Sequence, residues 1–232
     1  MSDLLLHPIT WLTLTIGAYL LGQRIYQGLN NATLLPPVLS GFLLIILALW
    51  LTDTPYQIYN QGGGLLSYFL GPVVVGLAVP LFYHFHNMKK QMLIIIIAVL
   101  AGTLSSVTIA LALTHYWIGI DTITNSMASK SVTTPVAIAI TEQINGIPAL
   151  AAAFVMVTGI VGAIIIPPLL TLLKLDGPQA TGIALGGCAH AVGTSRAIEL
   201  GQEYAAYSAI AMTLTATLHA LILPIIVLYP LF

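Results

Sequence analysis

Two short segments hold most of the side chains in this sequence that could bind or move a charge. The first is Ser129-Lys130-Ser131-Val132-Thr133-Thr134-Pro135. The second is His190-Ala191-Val192-Gly193-Thr194-Ser195-Arg196-Ala197-Ile198-Glu199. In the first, Pro135 suits the first turn of a helix, where its missing N–H costs little. Thr133 or Thr134 is then the N-cap, facing free backbone N–H groups. A helix start of this kind attracts an anion. Lys130 adds positive charge at the same place, and Ser131, Thr133 and Thr134 add hydroxyls. The competing account is an ordinary cap, with Lys130 reaching to a membrane surface. In the second segment, Gly193 allows a bend or the close approach of a ligand. Thr194 and Ser195 supply hydroxyls, and Arg196 offers the planar fork that suits a carboxylate. Glu199 lies three residues on, within helical reach of Arg196, so a structural ion pair competes with a ligand-binding role. His190 titrates near neutral pH. With Glu199 and Glu142 it forms the set of candidates for proton coupling.

The other candidates carry less. His84 and His86 are two apart and share no helical face. His115, Tyr116 and Trp117 read as interfacial, and His219 as a group that hydrogen-bonds between helices. Glu142 either pairs with Lys130 or marks a membrane surface. Cys188 is the only cysteine, so no intrachain disulfide forms, and it reads as a packing residue. No nucleophile–base pair and no His-x-x-x-His motif stands out, so neither an enzyme nor a metal or other cofactor is expected.

The elements that must position these residues are apolar helices. Charged residues make up 6% of the 232 residues, against about 25% in a soluble domain. Mean hydropathy is +1.00. The expected fold is an all-α polytopic membrane protein, one domain over residues 1–232. Six full spans are expected, at about residues 8–23, 36–53, 65–85, 92–117, 147–173 and 204–229. A span needs roughly 20 mostly apolar residues. Gln61-Gly62-Gly63-Gly64 reads as a loop, and Pro167-Pro168 as an interruption of the fifth span. The Met-Ser-Asp start lacks the basic region of a cleavable signal peptide, so the first span is expected to stay as an anchor. The net charge of -1 gives no sign of nucleic-acid binding.

Residues 125–142 and 180–201 read as two broken or re-entrant segments. Residues 1–120 thus form a scaffold, and residues 121–232 hold the candidate site. Arg24, Lys89 and Lys90 fall on one side of the bilayer, which the positive-inside tendency makes cytoplasmic, with the N-terminus outside. Lys174 joins them only if residues 125–142 dip in from the outside and return. Residues 130–138 and 190–198 are sixty positions apart and match at Val132/Val192, Thr134/Thr194, Ala137/Ala197 and Ile138/Ile198. Entry from opposite faces would make them inverted repeats, as in many secondary transporters; chance identity among small residues is the alternative.

Three motifs carry a family resemblance. Ser131-Val132-Thr133-Thr134-Pro135, Gly146-Ile147-Pro148-Ala149-Leu150 and Ala189-His190-Ala191-Val192-Gly193-Thr194-Ser195-Arg196-Ala197 resemble the LrgB family, also called CidB/LrgB or antiholin-like proteins. Gly71-Pro72-Val73-Val74-Val75-Gly76-Leu77-Ala78-Val79-Pro80-Leu81 is similar to the family's third-helix pattern. Ser195 stands where the family more often has Ala. The resemblance implies a bacterial inner-membrane protein working beside a small LrgA-type membrane partner. It also implies one of two roles. One is modulation of murein hydrolase activity and autolysis. The other is transport of small carboxylates, since plant relatives are similar to plastid glycolate/glycerate transporters and bacterial ones have been linked to pyruvate movement. The residues themselves favour a small carboxylate anion held by Lys130, Ser131, Thr133, Thr134, Gly193, Thr194, Ser195 and Arg196. A homo-oligomer is left open.

Overall fold

The structure, a computed structural model, describes residues 6–28, 37–69, 72, 75, 82–83 and 89–228. Among the described residues there is no β-strand. The chain divides into two compact units, Met1–Ala78 and Val79–Phe232.

In the first unit, α1 (Pro8–Gly28) packs on α2 (Pro37–Thr52) and on α3 (Tyr56–Gly63), which runs on as a 3-10 helix, Gly64–Phe69. Gly22 sits against the Pro37 carbonyl and Ser40, and Gly62 against the Pro8 carbonyl, where a side chain would collide. Buried Trp11 meets Tyr59 edge-on, with ring centroids 5.8 Å apart. The expected loop at 61–64 is therefore a correction. Gln61, Gly62 and Gly63 finish an α-helix, and Gly62, having no side chain, lets that helix lie against the Pro8 carbonyl of α1. The third span expected at 65–85 and its Gly71–Leu81 pattern lie largely outside the described residues, as do His84 and His86.

The second unit holds α4 (Met92–Ile118), α5 (Asp121–Ala128), α6 (Thr134–Gln143), α7 (Pro148–Leu172), α8 (Pro178–Leu200) and α9 (Gln202–Leu228). Helices α4, α7 and α9 are long and apolar enough to cross a bilayer. They lie where the fourth, fifth and sixth spans were expected, and α7 runs through Pro167 and Pro168 without ending there. Their buried residues recur every four positions: Ile95, Val99, Thr103, Val107 and Leu111 on α4, and Ala151, Val155, Gly159 and Ala163 on α7. Large side chains such as Ile97, Ile109, Val161, Ile165 and Ile225 face outward. This suits lipid, where small residues let helices approach and there is no hydrophobic drive to bury the large ones.

Both broken segments are helical hairpins. Across the first, Asn125 Nδ2 donates to the Ile144 carbonyl (2.7 Å), the Ile147 N–H donates to Ser126 Oγ (2.7 Å), and Ser129 and Thr141 share a hydroxyl bond of 2.9 Å. The start of α5 therefore lies beside the end of α6, with the turn at Ser129–Thr133. Helices α5 and α6 have 8 and 10 residues, or about 12 and 15 Å, roughly half a bilayer core each. The second hairpin is hidden inside α8, where His190 has φ 43° and ψ −129°. Gly193 lies against the Leu185 carbonyl, although eight residues of straight helix would separate them by about 12 Å. Ser208 of α9 touches both Gly186, before the turn, and Thr194, after it. The Tyr204 hydroxyl donates to the Asp176 carbonyl (3.3 Å), which brings the two ends of α8 together.

Helix α7 runs between the hairpins. The open end of α5–α6 is at its start, and the open end of α8 is at its finish. Val155 joins the two tips: its side chain packs with Val132 and Ala137, and its carbonyl accepts a hydrogen bond from His190.

Candidate functional site

Lys130 stands at the tip of the first hairpin. Its ammonium donates to Ser106 Oγ on α4 (2.9 Å) and to Ser131 Oγ (3.2 Å), and those two hydroxyls lie 3.0 Å apart. Ser131 is buried and Lys130 half-buried. Lys130 is within electrostatic reach of Cys188 on α8 and His219 on α9. Among the described residues it has no carboxylate partner; the ion pair found there joins Arg196 and Glu199. A half-buried ammonium held only by hydroxyls keeps its charge uncompensated, which is costly away from water.

Beside Lys130, α6 begins with Thr133 as N-cap and Pro135 in its first turn. The Thr133 side chain makes no capping bond. Neither Thr133 nor Thr134 has a side-chain partner among the described residues, and both are half-buried. The helix start thus keeps backbone N–H groups and two hydroxyls unspent.

The second tip is built around His190. Its Nε2–H donates to the Val155 carbonyl (3.0 Å); its buried Nδ1, an acceptor in the neutral ring, has no partner among the described residues. A positive φ strains any residue with a Cβ. The ring is held by a slot at Gly159, where an added Cβ would fall 2.7 Å from His190 Cε1. The Thr194 hydroxyl donates to the His190 carbonyl (2.9 Å) and lies 2.9 Å from Ser208 Oγ, which then donates to it. The bend is therefore at His190 and not at the expected Gly193. Gly193 is required inside the hairpin because a side chain there would strike the Leu185 carbonyl.

Other expected site residues are spread around these tips. Arg196 is buried, and its Nη1 donates to Glu199 Oε2 at 2.7 Å, the structural pair that competed with ligand binding. Ser195 is exposed, unlike buried Thr194, and donates to the Ala191 carbonyl. Glu142 is exposed near the end of α6, and the alternative in which it pairs with Lys130 is not what the structure has. His219 bonds within its own helix, Nδ1–H to the Thr215 carbonyl (2.8 Å), rather than between helices. Its buried Nε2 has no partner among the described residues.

Sequence reasoning missed Thr103, Ser106 and Thr215. A groove of about 420 Å³ between α4 and α8 runs from Gln91 and Gln179 to Thr103, Cys188 and Thr215. The signal in the sequence was faint: Thr103 and Ser106 are one turn apart in a helix that also carries Ser105, Thr108 and Thr114, so nothing in the spacing singles them out.

The family model described as "LrgB-like family" matches residues 15–229. The uncharacterized protein YwbG of Bacillus subtilis is 36% identical over 209 residues, covering 90% of this chain and 92% of the relative. The holin-like protein CidB of Staphylococcus epidermidis is 32% identical over 224 residues, 96% of this chain and 97% of the relative. The antiholin-like protein LrgB of Bacillus cereus is 29% identical over 218 residues, 94% of each. No solved structure matches the chain.

Proposed function

We propose that this chain, which belongs to the LrgB-like family, is a membrane transporter of small carboxylate anions. The observation that carries this reading is Lys130, an ammonium at a hairpin tip surrounded by hydroxyls and without a carboxylate among the described residues. The bare start of α6 beside it adds the partial positive charge of a helix N-terminus. In this reading the two hairpins enter the bilayer from opposite faces as inverted repeats and place the site near the midplane, as discontinuous helices do in secondary transporters. Lys130, Ser131, Thr133 and Thr134 hold the carboxylate. Thr194 and Arg196 brace the opposite hairpin, with His190, Glu199 and Glu142 as proton-coupling groups. A small LrgA-type membrane protein is the proposed partner, and the bacterial inner membrane the proposed location.

The relatives' names favour a second reading. "Holin-like" and "antiholin-like" belong to modulators of lysis, and neither names a carboxylate. Under that reading the chain acts through its partner on murein hydrolase activity and autolysis.

Uptake of labelled pyruvate and glycolate into proteoliposomes, with and without the partner, separates the two. The transport reading expects saturable uptake whose half-saturating substrate concentration rises in Lys130→Gln. Absence of uptake under both conditions, with lysis still altered in cells, selects the regulatory reading.

A further inference from the structure

We infer that the groove between α4 and α8 is the path by which a small monocarboxylate reaches Lys130, with the hydroxyls of Thr103 and Thr215 as its inner ligands. The inference rests on Lys130 being the anion ligand, as proposed above, and adds the route, two ligands and the charge of the substrate.

The two threonines make the first argument. Thr103 and Thr215 are 3% and 2% exposed, and neither hydroxyl has a hydrogen-bond partner among the described residues. Buried hydroxyls are nearly always paired, and a threonine in a helix readily bonds the carbonyl four residues back. Thr114 on α4 does so, as do Thr213 and Thr217 on α9. Thr103 and Thr215 do not, and both line the groove. Two unspent donors at its inner end fit the two oxygens of a carboxylate.

Position makes the second. Ser106, which accepts from Lys130, lies one helical turn beyond Thr103 on α4. Cys188, on the groove wall, is within electrostatic reach of the same ammonium. At the other end Gln91 directly follows Lys89 and Lys90, so the mouth adjoins positive charge that concentrates anions.

The walls make the third. Between mouth and inner end they are Ile94, Ile95, Ala98, Val99 and Ile183. A second carboxylate would lie against hydrocarbon, at high cost, whereas a methyl or short alkyl tail fits. A single ammonium at the inner end and apolar walls select a monoanion with an apolar tail.

Cys188 is the chain's only cysteine and is exposed, so the unmodified protein carries its own probe. The full chain in proteoliposomes is treated with a neutral maleimide, and labelling of Cys188 is read by mass spectrometry. Pyruvate should slow labelling. Malonate should need at least about tenfold more for the same protection, and neutral propionamide should give none. Thr103→Val with Thr215→Val should leave the unprotected labelling rate unchanged and raise the half-protecting pyruvate concentration about tenfold. Labelling indifferent to pyruvate, equal protection by propionamide, or a double variant that behaves like the parent overturns the inference. Uptake without protection removes the groove and leaves transport standing; protection without uptake keeps the groove as a binding site and removes transport.

Discussion

At Lys130 the chemistry turns on what is absent from its neighbourhood. Its bonds are to Ser106 and Ser131, both neutral, whereas Arg196 is matched by Glu199. A hydrogen bond to a charged group contributes about 1.5–3 kcal/mol, so Lys130→Gln should weaken apparent substrate affinity roughly 10–100-fold. Concentration-dependent uptake by proteoliposomes measures this, and unchanged affinity would remove Lys130 from the site. His190 is different, because its backbone carries the strain. A residue with a Cβ in the left-handed region costs about 1–2 kcal/mol that glycine avoids. His190→Gly and His190→Ala both lose the bond to Val155, but the glycine variant should be the more stable by about that amount, read as a higher unfolding temperature in detergent. The reverse order would show that the turn is not under strain.

Among the elements, the hairpins decide the site. Each half is too short to cross a bilayer and packs against its partner half, α7 and either α4 or α9. The bonds at Asn125, Ser126 and Ser129 close the first hairpin. The glycines at 186 and 193 let the second close on itself and on α9. Single cysteines introduced into a Cys188→Ser background test this arrangement. Asp121→Cys and Glu142→Cys should label from one side of the membrane, and Lys174→Cys and Gln202→Cys from the other; all four positions are exposed. Labelling of positions 121 and 142 from opposite sides would make the first segment a full span.

For the whole molecule, sidedness follows from charge. If the six spans expected from the sequence all cross and the first hairpin returns to its own side, Arg24, Lys89, Lys90 and Lys174 share one face, which the positive-inside tendency would make cytoplasmic. Asp53→Cys should therefore label from outside together with Asp121→Cys, and Lys89→Cys from inside with Lys174→Cys. The opposite result would invert the protein and move the mouth of the groove, beside Lys89 and Lys90, to the outer face. The anion would then enter from outside the cell.

The apolar helices, the spans of α4, α7 and α9, the two breaks and the family motifs were all legible in the sequence, because each is a local property of composition, period or spacing. Residues 130–135 and 190–199 stood out because polar groups in lipid are costly wherever the chain leads. What folding alone decided is which of those groups meet. Ser106 and Lys130 are 24 positions apart, and His190 and Val155 are 35 apart. No periodicity links such pairs, because a contact between helices depends on how each is rotated and where the hairpins turn. The same packing left Lys130 without a counter-charge, and turned Thr103 and Thr215 from ordinary helix residues into donors along one groove that have no partner, both among the described residues.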